Sequence, residues 1–238
     1  MSNGEVDNKV ILITGTSQGL GSYLAEYYLN LGWHVVGCSR TNVELENKLY
    51  THFQGDITDE MNIKEIYQYI RCTFKKLDVL INNAAINPPY ISSALLSHES
   101  IKSAYATNLF APMIFSSEAI KIMIRAKYGR IINIGSMVTK HETFGGVLYS
   151  PSKAAINSYT RILAKEVYKS GITVNVVAPS AIKTDLANST NQLALMEVLS
   201  RNAIQNYGEM SDITNVIDLL IKKESSALTG QIFYLGGV

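Results

Sequence analysis

Lys9-Val10-Ile11-Leu12-Ile13-Thr14-Gly15-Thr16-Ser17-Gln18-Gly19-Leu20-Gly21 is the stretch on which the reading of this chain turns. Its first part, Lys9–Ile13, is a short apolar run of the kind that forms a strand buried on both faces. Its second part is a glycine-rich turn that opens a helix from about Gly19 to Leu31. Glycines at such a turn let a pyrophosphate approach the helix N-terminus, where free N–H groups and the helix dipole favour an anion. The spacing is Gly-x-x-x-Gly-x-Gly, not the commoner Gly-x-Gly-x-x-Gly, so the turn alone leaves open a strand-to-helix corner with no ligand.

The same alternation continues outward. Strands are predicted at His34–Cys38, Tyr50–Phe53, Asp78–Ile81, Arg130–Ile134, Ile172–Val177 and Gln231–Leu235. Helical periodicity covers Asn62–Phe74, about Ser97 to Ala126, Ser150–Tyr168, a polar-interrupted stretch from Pro179 to about Asn206, and Ser211–Lys222. Short apolar strands separated by helices predict βαβ units with right-handed crossovers. The expected fold is α/β, a Rossmann-type doubly wound parallel sheet with helices on both faces. With no linker or repeat, residues 1–238 are read as one domain.

Bulk properties narrow the function. A chain of 238 residues buries roughly three quarters of its unfolded surface and needs no disulfide or metal staple. The net charge is +1 without a basic block, which gives no footing for nucleic acid. Only 17% of residues are charged, against roughly 25% in typical domains. That deficit predicts self-association into a homo-oligomer, with a low-charge monomer as the alternative. Cys38 and Cys72 stand apart without metal-ligand spacing, as in a reducing compartment. No segment approaches the ~20 apolar residues of a membrane span, and the polar Met1–Asn8 stretch has no signal-peptide core. The expectation is a cytoplasmic protein with no membrane partner and no metal.

At the end of the second strand, where a dinucleotide site reads the adenosine ribose, stand Ser39-Arg40-Thr41 with no carboxylate before Glu44. An arginine there suits a 2′-phosphate, so NADP(H) is favoured, with NAD(H) the alternative; a solvated surface arginine is the plain reading. Ser136 follows the predicted strand Arg130–Ile134, at the strand end where open α/β sheets bind ligands. Tyr149 and Lys153 are four apart on one helical face. A tyrosine pKa near ~10 suits proton transfer poorly at neutral pH. A neighbouring ammonium and an oxidised nicotinamide would lower it. Tyr149 would then exchange a proton with a carbonyl or alcohol oxygen, held also by Ser136. Among 14 tyrosines, a Tyr–Lys pair at this spacing is by itself more often an exposed face.

Taken together, these residues resemble the short-chain dehydrogenase/reductase family, over nearly the whole chain. The Thr14–Gly21 turn is similar to its cofactor motif, through Gly15, Ser17, Gln18, Gly19, Leu20 and Gly21. Asn82-Asn83-Ala84-Ala85 is similar to its Asn-Asn-Ala-Gly motif. Asn108, Ser136, Tyr149 and Lys153 fall in the order of its catalytic residues, and the resemblance implies that Asn108 holds a water in the proton relay. It also implies that Asp56, with Ile57 beside it, meets the adenine, and that Ile182 and Thr184 hold the nicotinamide carboxamide. Ala85 and Ser180 stand where the family has glycine, which puts the nicotinamide pose in question.

The resemblance is nearest to 3-oxoacyl-acyl-carrier-protein reductases, from Val174–Pro179 and Leu228–Gln231. It implies a carbonyl or secondary alcohol substrate, a 3-oxoacyl thioester among them, and a homo-oligomer, a dimer or a homotetramer built by the Ser97–Ala126 helix, the Tyr149 helix and the C-terminal strand. A sugar or nucleotide-sugar oxidoreductase is the alternative, and a non-catalytic NADP(H)-sensing regulator is the alternative from another class. The substrate is expected between Asn87–Ser93, Met137–Gly146 and a lid at about 181–205. The lid's apolar residues either line that pocket or pack on the body. Lys140, His141 and Glu142 either meet a polar substrate or lie on the surface.

Overall fold

The computed structural model describes residues 9–183 and 192–237. Seven parallel strands form one sheet in the order β3-β2-β1-β4-β5-β6-β7. They are β1 (Val10–Thr14), β2 (His34–Ser39), β3 (Tyr50–Gln54), β4 (Val79–Asn82), β5 (Gly129–Ile134), β6 (Ile172–Ala178) and β7 (Ile232–Tyr234). The order runs outward in both directions from β1 and β4, so a crevice opens at their C-terminal ends. All seven predicted strands are present within a residue or so of their expected bounds.

Alternation along the strands divides the core into two layers. Val10, Leu12, Leu80, Ile131 and Val174 point to one face. There they meet α2 (Glu60–Thr73), α4 (Ala111–Ala126) and α6 (Tyr149–Val167) through Ile66, Ile70, Phe115 and Leu163. Ile11, Ile13, Val35, Ile81 and Ile132 point to the other, against α1 (Gly19–Asn30) and a late helix at Met210–Leu220. Covering both faces is what makes each inner strand read as a continuous apolar run.

Three local expectations change. The helix expected from Ser97 to Ala126 is broken: α3 spans His98–Tyr105, Ala106–Phe110 form a π turn, and α4 begins at Ala111. Pro112 is the physical reason. It has no N–H to give the carbonyl four residues back, at Asn108, and its ring crowds that carbonyl. A short helix α5, Val138–His141, follows β5 and was not anticipated. The helical stretch expected up to Asn206 ends sooner, since α7 spans Gln192–Ser200 and α8 spans Met210–Leu220. Between them the chain turns to pair Ile204 N–H with the Gly236 carbonyl at 2.8 Å.

Candidate active site

The crevice at the strand ends holds a cleft of about 350 Å³. Its first wall is the glycine turn. Gly15 has φ +77, a conformation that a Cβ opposes, and its N–H donates to the Cys38 carbonyl at 2.7 Å. A Cβ on Gly21 would lie 1.9 Å from the Gly15 carbonyl oxygen, so only glycine lets α1 pack this closely on the turn. At the start of α1, Gln18 makes no side-chain cap and the first turn holds no acidic residue. The free N–H groups there have a positive field and no side chain of their own to satisfy it. Ser17, Gln18, Gly19 and Leu20 line the cleft beside them.

Asn83 supports the turn from β4. Its Nδ2 donates to the Thr14 carbonyl at 2.8 Å and to that of Gly15 at 3.2 Å, while Thr14 Oγ1 accepts from the N–H groups of Asn83 and Ala84. The side chain read as a cofactor contact is thus committed to shaping the turn, though Asn83, Ala84 and Ala85 all line the cleft. Arg40 leaves the end of β2 into the same cleft with its side chain exposed. Asp56 and Ile57 line it after β3, and the Asp56 carboxylate accepts from the N–H and hydroxyl of Thr58 at 2.8 Å each.

At the other end of the cleft stand Ser136, Tyr149 and Lys153. Ser136 follows β5. Tyr149 opens α6, whose first turn tolerates Pro151 because no intrahelical N–H is needed there. Lys153 lies one turn further on the same face. Its Nζ donates to the Ile134 carbonyl at 2.8 Å and sits 5.7 Å from the Tyr149 ring centre. Burial pushes the Tyr149 phenol up to about 12, a hydrogen bond with Ser136 opposes that rise, and the Tyr90 phenol adds to it. Burial also lowers Lys153 to about 8. The expected depression of Tyr149 by its lysine is therefore not delivered by these residues alone. Desolvation outweighs the lowering by Ser136.

Asn108 is buried in the π turn and does not line the cleft, whereas its neighbour Thr107 does. Its Oδ1 accepts from the Ile86 N–H and its Nδ2 donates to the Ile86 carbonyl, both at 2.9 Å, with a third bond to Ser152 Oγ at 3.1 Å. The amide pins the wall after β4 to α6.

Neither departure from the expected glycines strains the chain, because Ala85 and Ser180 are absent from the described non-glycine residues with positive φ. Ser180 has gained a partner instead. Its Oγ accepts from Asn202 Nδ2 at 2.6 Å, and Asn202 Oδ1 meets His141 Nε2 at 2.7 Å. Ile182 lines the cleft; Thr184 and part of the expected lid lie outside the described residues.

The walls around Tyr149 come from the anticipated segments. Tyr90 and Asn87 line one side, and Ile91 N–H donates to the Gly145 carbonyl at 3.1 Å. Met137 and Val138 line another, and Leu195 and Val198 close over from α7, while Met196 is 64% exposed. The lid helix therefore both lines the pocket and packs on the body, where Leu195 and Leu199 meet Ala181. Lys140, His141 and Glu142 stay out of the cleft: Lys140 lies over the Tyr234 ring and His141 on Asn202. Sequence reasoning missed Thr107, Gly135 and Thr41 as lining residues. Only their adjacency to Asn108, Ser136 and Arg40 could have signalled them.

Comparison with known proteins agrees with this geometry. The family model for short chain dehydrogenases matches residues 9–194. The chain is 32% identical to the 3-oxoacyl-acyl-carrier-protein reductase FabG of Buchnera aphidicola subsp. Schizaphis graminum, over 98% of each chain. Among solved structures, 4-hydroxyisoleucine dehydrogenase complexed with NADH superposes with a TM-score of 0.85 at 29% identity, covering 97% of this chain and 98% of that one. ElxO with NADP bound superposes at 0.86 with 27% identity, covering 96% and 97%. A seven-stranded parallel sheet, an uncapped glycine turn at its switch point and a Ser–Tyr–Lys cluster across the cleft thus meet in a chain that belongs to the short chain dehydrogenase family.

Proposed function

We propose that the protein is an NADP(H)-dependent carbonyl reductase, or alcohol dehydrogenase in reverse, whose substrate carries an apolar chain, a 3-oxoacyl thioester in particular. The observation that carries this reading is the cleft itself. One end is the glycine turn, on which α1 packs more closely than a Cβ on Gly21 would allow, beside a helix N-terminus without a side-chain cap. The other end is Ser136 and Tyr149 lining one wall, with Lys153 Nζ 5.7 Å from the Tyr149 ring centre. The residues fit a dinucleotide: the α1 N–H groups for the pyrophosphate, Arg40 for a 2′-phosphate, and Ile57 with Asp56 for the adenine. ElxO was solved with NADP and 4-hydroxyisoleucine dehydrogenase with NADH, so the preference rests on Arg40.

When bound, the nicotinamide supplies or accepts the hydride and brings a positive charge to this end of the cleft. Tyr149 gives its phenolic proton to the substrate oxygen in reduction, and Ser136 donates to that same oxygen. Lys153, held on the Ile134 carbonyl, keeps its ammonium near the phenol and favours the phenolate once the proton has left. Ile182, Met137, Leu195 and Val198 exclude water from the exchange and give the pocket its apolar character. That character favours an acyl chain over a sugar.

We also propose self-association in the cytoplasm, supported by Phe110, Met113, Ile114 and Ile162, which the π turn, α4 and α6 leave exposed; light scattering tests it. The function is tested by assaying purified protein with NADPH and NADH against 3-oxoacyl thioesters, aldohexoses and hydroxy amino acids. Turnover with the thioesters alone supports the reading. Turnover with sugars alone replaces the substrate, and tight NADPH binding without any hydride transfer overturns the enzyme.

A further inference from the structure

Behind the glycine turn, four side chains form a directed hydrogen-bond chain. Thr16 Oγ1 lies 3.0 Å from the Tyr50 hydroxyl, which lies 2.8 Å from His52 Nδ1. The other ring nitrogen, Nε2, is 3.1 Å from the Thr41 carbonyl and 3.2 Å from Ser39 Oγ. A carbonyl only accepts, so Nε2 carries the hydrogen and the neutral ring leaves Nδ1 to accept from Tyr50. Burial lowers the pKa of His52 and raises that of Tyr50, which keeps both groups in those forms. Thr16 then donates to Tyr50, and the chain runs from the glycine turn to the end of β2.

The Ser39-Arg40-Thr41 tripeptide is held at each carbonyl. Ser39 accepts from Gly55 N–H at 2.9 Å, Arg40 from Gln54 Nε2 at 3.2 Å, and Thr41 from His52 and from Ser39 Oγ at 2.6 Å. The space for this network is built in: a Cβ on Gly37 would come within 2.4 Å of the Tyr50 hydroxyl and 2.6 Å of Thr16 Oγ1. Arg40 itself is exposed on a long stem, and a flexible guanidinium gains directional contact only from a fixed base.

We infer that Tyr50 and His52 are positioning residues for cofactor discrimination, holding the Ser39–Thr41 backbone so that Arg40 meets a 2′-phosphate. The inference rests on the assignment of this cleft to a nicotinamide dinucleotide. It is tested by fluorescence titration of the intact protein with NADPH and with NADH, alongside a melting temperature for each variant. His52→Ala is expected to weaken NADPH about tenfold, the loss of one hydrogen bond's worth of positioning, and NADH less than about twofold. Tyr50→Phe should move the ratio the same way without changing volume. His52→Gln places an N–H near Nε2 and should restore much of the NADPH affinity. Equal weakening of both cofactors by His52→Ala and Tyr50→Phe, in a wild type that prefers NADPH, overturns the inference alone. A wild type that holds NADPH no tighter than NADH overturns the assignment of Arg40 and this inference with it.

Discussion

Lys153→Met probes the electrostatics of the cleft without any knowledge of the substrate. Lys153 is 4% exposed and donates to one carbonyl at 2.8 Å, and burial brings its pKa from 10.5 down to about 8. A lysine whose folded pKa lies below its unfolded one destabilises the fold while it is charged. The penalty is full below the folded pKa and fades as pH rises toward the unfolded one. At about 1.4 kcal/mol per pH unit, the penalty is about 3 kcal/mol at low pH, of which about 2 kcal/mol disappears between about pH 7 and pH 9.5.

Cys38, Tyr28 and Tyr67 act in the opposite sense, since burial raises all three and their unfolded forms ionise first. The wild-type curve alone is therefore not diagnostic, but its difference from the methionine variant is. Urea unfolding of both proteins at one fixed concentration should show the wild type gaining about 2 kcal/mol on the variant across that interval. A gap that stays constant, or moves against the wild type, would refute a desolvated Lys153.

Other perturbations test other parts of the site. Arg40→Asp turns attraction to a 2′-phosphate into repulsion and should weaken NADPH about a hundredfold while leaving NADH within a few fold; paired fluorescence titrations check it. Gly21→Ala forces a Cβ to 1.9 Å from the Gly15 carbonyl, so dinucleotide binding should vanish. An overpacking cost of about 2 kcal/mol should also lower the melting temperature by about 5 °C. Ser180→Gly strips a partner from Asn202, which is 3% exposed. It should cost about 1–2 kcal/mol in denaturant unfolding, and Asn202→Ala on top of it should add less than its cost alone.

How much of this was legible in the sequence follows from how each feature is encoded. Strands buried on both faces announce themselves as apolar runs, and β1 followed by Gly15, Gly19 and Gly21 located the switch point. Ser136, Tyr149 and Lys153 were legible as candidates from their order and spacing, and all three line one cleft. The π turn was lost to periodicity, because Ser97–Ala126 keeps its apolar spacing through the break and only Pro112 marks it. The commitments of Asn83 to Thr14 and of Asn108 to Ile86 were also hidden. An amide's partner depends on which distant backbone groups the fold leaves unpaired. Tyr50 and His52 on edge strand β3 carried no signal, since their roles exist only once β2 and β3 are in register. The rise in the Tyr149 pKa without a cofactor was hidden for a similar reason, because burial is a property of the packed cleft rather than of Tyr-x-x-x-Lys.

The central claim is that Tyr149 supplies the proton when a carbonyl is reduced in this cleft. Tyr149→Phe keeps the ring and its packing and removes only the hydroxyl. A single-turnover experiment, mixing protein preloaded with NADPH against a 3-oxoacyl thioester and following loss of the reduced-nicotinamide absorbance, reads the step directly. The account predicts a rate lowered by about 10²–10⁴-fold with NADPH affinity unchanged within about twofold. A variant that reduces the thioester at the wild-type rate would contradict it.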